Sequence, residues 1–535
     1  MNFEIQQIER KNKDGEPYTE IHLVFSNSLD KELMQSLLDI TNDEMFYNDK
    51  AKVTPDYLFA YHDEIAIRAQ SGNLSLISLA FYLAEFFKEK IAQYDKMAKD
   101  NKVTFDHLNK ILVIGSKFVA RMNNELVGSI VHATRYETNM FERYFIVTGL
   151  CTVVDGKQFI QIEKQFIIPF FAGLRNVKDL DVRPMTDDDN VILTKRGKIF
   201  LKYGIGTHYL HYTGEIFKQT MYGAVHVNAL GRVVVDAVGF KTINANYCRL
   251  DNPNRNICNP NIADELLFMT WPFLYAFSLT TKQWGECYVD KLEPIKYDDD
   301  AFDYLVLNQD YKEMTKALVT NVNTCFTDII SNKSGGAIFL LHGPPGVGKT
   351  LTCEAIAELL HKPLYSITVG ELGVSPDTLE MKLSRILEIA NSWSAIILID
   401  EADIFLEKRT DNDIHRNAMV GIFLRLLERH QGVLFLTTNR GDRLDEAFRS
   451  RISVIIKYDD LDKDARGQVW KNLLKASKVD IDKETIDKLV EVKTNDDKYI
   501  NGRQIKNAIR MAQCIAFNKK ESVTFDHLSK VIKLM

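Results

Sequence analysis

From residue 337 onward the chain alternates short apolar runs with longer stretches whose apolar residues recur at helical spacing. The runs fall at 337–341, 364–369, 395–399, 433–437 and 452–456, each of a length and character suited to a buried strand. Between the second and third, Ser375 stands at an N-cap position and Pro376 in the first turn. Leu379, Leu383, Ile386, Leu387 and Ala390 then line one helical face. Strand and helix in alternation predict a parallel sheet flanked by helices, an α/β module. Beyond residue 458 only helical periodicity remains, which predicts a small helical lid.

The earlier part of the chain has a different rhythm. Residues 1–114 read as mixed, with one long helix expected over 74–97. Its most apolar segment, 74–87, is interrupted by Ser75, Ser78 and Glu85 and falls short of the about 20 residues that cross a bilayer, so a packed helix is expected. The hexapeptide VTFDHL occurs at 103–108 and again at 523–528, and predicts Thr104 and Thr524 as N-caps of short helices. Residues 115–296 read as β-rich. Asp155-Gly156 between apolar runs predicts a hairpin, and 224–238 a second one around Gly231. The acidic stretch YDDD at 297–300 marks a boundary. The expected organisation is therefore a mixed region 1–114, a β-rich domain 115–296, an α/β domain 297–457 and a lid 458–535.

Composition narrows the choice of partners. With 535 residues the chain exceeds what one core organises. It is 45% apolar and 26% charged with a net charge of −6, and no long basic block stands out, which argues against a dedicated nucleic-acid surface. The seven cysteines, at 151, 248, 258, 287, 325, 353 and 514, form no C-x-x-C pair and suit reduced thiols in a cytosolic setting. Cys248 and Cys258 supply at most half a zinc site. His208, His211 and His226 read as core or surface histidines rather than as ligands. The N-terminus MNFEIQQIERK lacks the apolar stretch of a signal peptide. A cytoplasmic location is expected, the nucleus remaining open.

HGPPGVGKT, 342–350, lies between a strand and a helix and fits G-x-x-x-x-G-K-[ST]. Gly343, Pro344, Pro345, Gly346, Val347, Gly348, Lys349, Thr350 and Leu351 are thus the candidate cradle for the phosphates of ATP. Backbone N–H groups and the helix N-terminus face the anion, Lys349 reaches the β- and γ-phosphates, and Thr350 ligates Mg²⁺. In AIILIDEAD, 395–403, the acids emerge at the C-terminal end of a buried strand, the edge where parallel sheets bind ligands, beside that loop. Asp400 is expected to hold Mg²⁺, usually through water, and Glu401 to orient and polarise the attacking water. The letters DEAD also raise an RNA-helicase reading, but the residues that follow leave no room for a second nucleotide-binding lobe. LFLTTNR, 434–440, ends a strand with Asn439, an amide able to bond the water or γ-phosphate. Arg503 follows Gly502 at the start of a lid helix, where it could touch the γ-phosphate.

LDEAFRSRIS, 444–453, holds two arginines. Arg449 has Asp445 and Glu446 within helical reach and is expected to pair with one of them. Arg451 has no acid at such spacing.

In this order, GPPGVGKT, IILIDEAD, LTTNR, the arginine-bearing turn and the Gly-Arg pair of the lid resemble an AAA+ ATPase of the AAA branch over about 300–535. Further stretches, among them VTFDHLNKIL, GRVVVDA, FSLTTKQWGECYVDKLEPIKYDDDAFDYLVL and HRNAMVGIFLRLLE, resemble fungal AAA ATPases with a large N-terminal region of unknown function. The resemblance implies a P-loop module with a five-stranded parallel sheet and helical lid, and a hexameric ring of identical subunits. It further implies that Arg451 reaches into the neighbouring subunit's ATP pocket, where a planar, permanently charged guanidinium offsets charge on the transferring phosphoryl group. Two departures stand out. Val454 occupies the place of a second arginine found in many AAA proteins, and 369–376, VGELGVSP, lacks the aromatic step of threading motors. The function expected is Mg²⁺-dependent ATP hydrolysis coupled to remodelling of an unidentified protein client held by residues 1–296. A nucleotide-gated scaffold with slow turnover is the alternative, and a nucleic-acid motor or loader a more distant one.

Overall fold

The computed structural model describes residues 2–11, 16–41, 43–139, 142–245, 247, 255–257, 262–325, 336–406, 414–440 and 445–535. The chain divides into two compact units, Met1–His208 with Tyr212–Glu293, and Pro294–Met535 with Tyr209–His211.

The first unit opens with an antiparallel three-stranded sheet, Glu4–Lys11, Pro17–Ser26 and Lys50–Val53, packed against helices around Leu23, Phe25, Leu37 and Phe59. The apolar helix is two, Leu74–Phe86 and Lys88–Ala98, because Phe87 leaves helical geometry at φ −106, ψ 17. The Asp155-Gly156 turn joins Arg143–Asp155 to Gln158–Pro169, pairing Asp155 with Gln158 while Gly156 takes φ +70. These strands lie in a six-stranded sheet with Lys117–Met122 and Glu125–Thr138. The expected hairpin around Gly231 does not form. Gly223–Asn228 pairs with Glu215–Thr220 and Gly231–Asp236 pairs with Phe273–Ser278, so three strands lie between the two expected hairpin partners in a seven-stranded sheet. Met221 and Tyr222 make the hairpin turn instead, so that Gly231, at φ +121, serves a crossing rather than a reversal. Both VTFDHL copies start helical turns, each with its threonine hydroxyl against the histidine three residues on: Thr104 Oγ1 to His107 Nδ1 at 2.7 Å, and Thr524 Oγ1 to His527 Nδ1 at 3.2 Å. Cys248 and Cys258 lie outside the described residues. Among the described ones Cys151, Cys287 and Cys353 are buried, Cys514 is exposed, and no group of three His, Cys, Asp or Glu is placed to hold a metal. Nor is any described helix long and apolar enough to cross a membrane.

The second unit is an α/β fold. Five parallel strands, Ala337–His342, Leu364–Thr368, Ile396–Asp400, Val433–Thr438 and Val454–Lys457, lie in the spatial order second, third, fourth, first, fifth. The predicted helix is Pro376–Ser392, capped by the Ser375 hydroxyl and burying Leu379, Leu383, Leu387 and Ala390. The lid is four helices, Lys463–Ala476, Lys483–Glu491, Gly502–Lys519 and Phe525–Leu534, closed over Trp470, Leu489, Ile505, Ile509 and Leu528. The fourth strand therefore runs between the strand that feeds the phosphate loop and the strand that carries Asp400. The two strands share a sheet edge without pairing with each other.

In the first unit Thr186 caps the helix Asp187–Gly204, and its own N–H donates to Asp189 Oδ2 at 2.9 Å. Arg183 donates two hydrogen bonds to the same carboxylate, at 2.6 and 3.0 Å. These arginine bonds, with those from Thr186, hold the Asp189 carboxyl down to about 2. A depressed carboxyl stabilises the fold above its unfolded value and loses that contribution as pH falls toward its folded value. Asp189→Asn should lower stability at pH 7 by about 2 kcal/mol. The gap to wild type should close between about pH 4 and 2 in urea unfolding followed by fluorescence, and a gap independent of pH would refute the assignment.

Candidate functional site

The phosphate loop is shaped by close backbone approach. Gly343 takes φ +148, and a Cβ there would meet the Tyr458 carbonyl oxygen at 2.1 Å, where the fifth strand ends. Gly346 takes φ +83, and a Cβ there would meet the Asn501 side chain at 2.7 Å. Asn501 caps the lid helix Gly502–Lys519 in a capping box with Gln504, and its Nδ2 donates to the Pro345 carbonyl at 3.3 Å. The lid thus meets the phosphate loop at the start of this helix, where Asn501 bonds the loop and a Cβ on Gly502 would meet the Gly346 carbonyl oxygen at 3.0 Å. The spacing N-G-R-Q is the local signal that marks Asn501 as a cap.

Gly348 precedes the helix Lys349–Leu359. The Lys349 ammonium is buried and donates to the carbonyls of Gly343 at 2.7 Å and Pro344 at 2.8 Å and to Asn439 Oδ1 at 2.9 Å. Burial lowers its pKa; Asp400, Asp403 and Glu401 oppose that shift and the charge of Arg503 adds to it. Because an ammonium can only donate, the Asn439 amide must turn its oxygen to Lys349, which leaves its NH₂ free to donate outward. Asn439 is fixed by its own backbone, whose N–H donates to Asp403 Oδ1 at 3.1 Å, and the Thr438 hydroxyl bonds the same oxygen. Val347 is buried and Leu351 exposed on the first helical turn.

Thr350 Oγ1 stands 3.4 Å from Asp400 Oδ2. Asp400 Oδ1 accepts from the Thr437 hydroxyl, which in turn accepts from the Glu401 N–H at 2.9 Å. Glu401 itself sits at φ +56, a conformation that costs a non-glycine residue on the order of 1–3 kcal/mol and clusters at functional sites. Its carboxylate makes no hydrogen bond or ion pair among the described residues and is exposed. The Arg503 side chain, also exposed, is likewise unpaired among them.

These oxygens and donors fit a nucleotide with its metal. Lys349 is held by oxygens it can exchange for those of a phosphate, and the Thr350–Asp400 pair offers the hard oxygen ligands that Mg²⁺ takes. The structure brings together Lys349, Thr350, Asp400, Glu401 and Asn439 at one edge of the sheet. Thr437, Asp403 and Asn501 were missed, since each acts through a partner distant in sequence.

The two arginines reverse their expected states. Arg451 does have an acid. Its Nε and Nη2 bond Glu428 Oε1 at 2.6 and 2.5 Å, and Nη1 donates to the Ala447 carbonyl at 2.6 Å. Glu428 ends the helix Ile414–Glu428, 23 positions back, beyond any local spacing rule. Asp445 instead caps its own short helix through the Ala447 N–H, and the exposed Arg449 side chain has no partner among the described residues. Val454 is buried in the fifth strand, so its position faces the core.

Residues 339–460 match the ATPase family associated with various cellular activities (AAA), and residues 93–189 match a domain of unknown function, DUF7025. Among curated relatives, the human ATPase family AAA domain-containing protein 3B is 34% identical over 129 residues, covering 22% of this chain and 19% of the relative. A putative 26S proteasome regulatory subunit homolog of Methanothermobacter marburgensis is 29% identical over 178 residues, 32% of this chain and 46% of the relative. The chain thus spans less than half the length of either. The crystal structure of the FIGL-1 AAA domain in complex with ADP aligns over 43% of this chain and 82% of that one at 21% identity, with a TM-score of 0.35. The chain carries an AAA ATPase domain and, ahead of it, a DUF7025 domain of unknown function.

Proposed function

We propose that this protein hydrolyses ATP with Mg²⁺, as an oligomeric ring of identical subunits that is hexameric by family resemblance. In this reading 297–457 is the nucleotide-binding domain and 458–535 its lid, while residues 1–114 and 115–296 hold a protein or complex that turnover remodels. The ring is cytoplasmic and acts on no nucleic acid. The observation that carries the proposal is the convergence, on one sheet edge, of a buried ammonium, a hydroxyl–carboxylate pair and an unpaired carboxylate.

Each side chain has a defined task. Lys349 gives up its bonds to the Gly343 and Pro344 carbonyls for phosphate oxygens. Thr350 and Asp400 hold the metal, which when bound neutralises charge on the phosphates. Asn439, its oxygen committed to Lys349, donates from its NH₂ to the γ-phosphate or the attacking water. The unpaired Glu401 carboxylate accepts hydrogen from that water as it attacks. Arg503, unpaired among the described residues and close enough for its charge to act on Lys349, reports on the γ-phosphate from the lid. Arg451 serves the neighbouring subunit. Its brace on Glu428 and Ala447 fixes the guanidinium before the reaction, so little reorganisation is needed as phosphoryl charge develops. The segment 369–376 forms the helical turn Val369–Leu372 and exposes Val374 rather than an aromatic, so it offers little to grip an extended chain, which favours movement of the N-terminal domains over threading.

Glu401→Gln should retain nucleotide affinity and lose turnover by about 10²-fold or more, measured as steady-state phosphate release beside fluorescent-nucleotide binding. Unchanged turnover would remove Glu401 from its role. Rate per subunit should rise with protein concentration as rings assemble. Arg451→Ala should lower that assembled rate by about 10³–10⁵-fold. Arg449→Ala should stay within a few-fold of wild type, and the opposite ranking would assign the finger to Arg449.

A further inference from the structure

Thr437 is 1% exposed and lies next to last in the fourth strand. Its hydroxyl has two partners, and chemistry fixes the direction of both bonds. The Glu401 N–H can only donate, and it donates to Thr437 Oγ1 at 2.9 Å. The hydroxyl has one hydrogen, and that goes to Asp400 Oδ1. The Thr437 carbonyl also accepts from the Ala402 N–H at 2.9 Å. One residue therefore ties down three consecutive positions of the turn. With Oδ1 engaged, the Asp400 carboxylate is left with Oδ2 facing Thr350 Oγ1. The N–H bond likewise restrains Glu401 in its φ +56 conformation, the one that sends its carboxylate out unpaired.

We propose that Thr437 is a positioning residue of the hydrolytic centre. Its hydroxyl selects the Asp400 orientation that offers Oδ2 to the metal, and holds the Glu401 turn in its working conformation. The inference rests on the reading of Asp400 and Thr350 as the metal-binding pair. Valine has the shape of threonine without the hydroxyl, so Thr437→Val keeps the strand and its packing. It leaves the Glu401 N–H without its acceptor and lets Asp400 rotate. Serine retains the hydroxyl.

The test measures metal binding apart from turnover, on the full chain. ADP affinity is measured by fluorescence in EDTA and across a Mg²⁺ titration, and Mn²⁺ binding to the ADP-loaded protein by electron paramagnetic resonance. Affinity in EDTA should match wild type for Thr437→Val. The metal concentration at half-saturation should rise about 10–100-fold, the range found when a partner that orients a metal ligand is removed. At saturating metal kcat should fall while KM for ATP changes little, and Thr437→Ser should restore both readouts. Should valine prevent folding by circular dichroism, Thr437→Ala carries the same expectation against Thr437→Ser. The proposal is overturned if the hydroxyl-free variant keeps the wild-type metal dependence. It is equally overturned if affinity in EDTA drops as far as affinity in Mg²⁺, or if serine fails to restore. Asp400→Asn is the control: if it leaves metal dependence untouched, the metal-site assignment fails, independently of Thr437.

Discussion

One buried strand, Val433–Thr438, sets the geometry of the nucleotide site, because it separates the phosphate-loop strand from the strand of Asp400 and touches the machinery of both. Its register aligns Thr438 with His342 on one side and Leu436 with Ile399 on the other. At that level Thr437 meets the acids and Asn439 meets Lys349. A strand buried on both faces cannot slide by one residue without turning its side chains to the opposite face, so the register is strongly specified. The hydrogen bonds at its end inherit that precision from the sheet rather than from a flexible loop.

The site is unequal in how it treats its charges. Lys349 is fully engaged, by two backbone carbonyls and an amide. Asp400 is anchored at one oxygen by Thr437, and its other oxygen has only the long, 3.4 Å bond from Thr350. Glu401 and Arg503 have no partner among the described residues. The anchored groups are those assigned to binding, which needs fixed geometry. The unpaired ones are those assigned to water and to sensing nucleotide state, and both gain from not having a bond to break first. Arg451 sits between these cases, braced by Glu428 and the Ala447 carbonyl while its guanidinium keeps a further N–H to donate.

Much of the second unit was legible because its signals are local. Buried parallel strands read as unbroken apolar runs, and all five observed strands lie within two residues of those runs. Ser375 and Pro376 marked a helix start by rules that act over a few positions. Reading by local rules failed where pairing was decided at a distance. Gly231 has the composition of a hairpin turn, yet its flanking strands each found partners elsewhere in the sheet. The continuous apolar periodicity over 74–97 gave no sign that Phe87 would leave helical geometry between two helices.

The sequence by itself determined the chemical inventory of the site and its order along the chain. Gly343, Lys349, Thr350, Asp400, Glu401 and Asn439 stand where short motifs place them, each at the end of a strand or the start of a helix. Tertiary structure decided who holds whom. Glu428 reaches Arg451 across 23 positions, Thr437 reaches Asp400 across 37, and Asn501 reaches Pro345 across 156. The physical reason is one of range. Helix caps, turns and phosphate loops act over a few residues and leave a spacing to read. A hydrogen bond between strand ends or across a lid is specified by sheet order and packing, which no local spacing encodes.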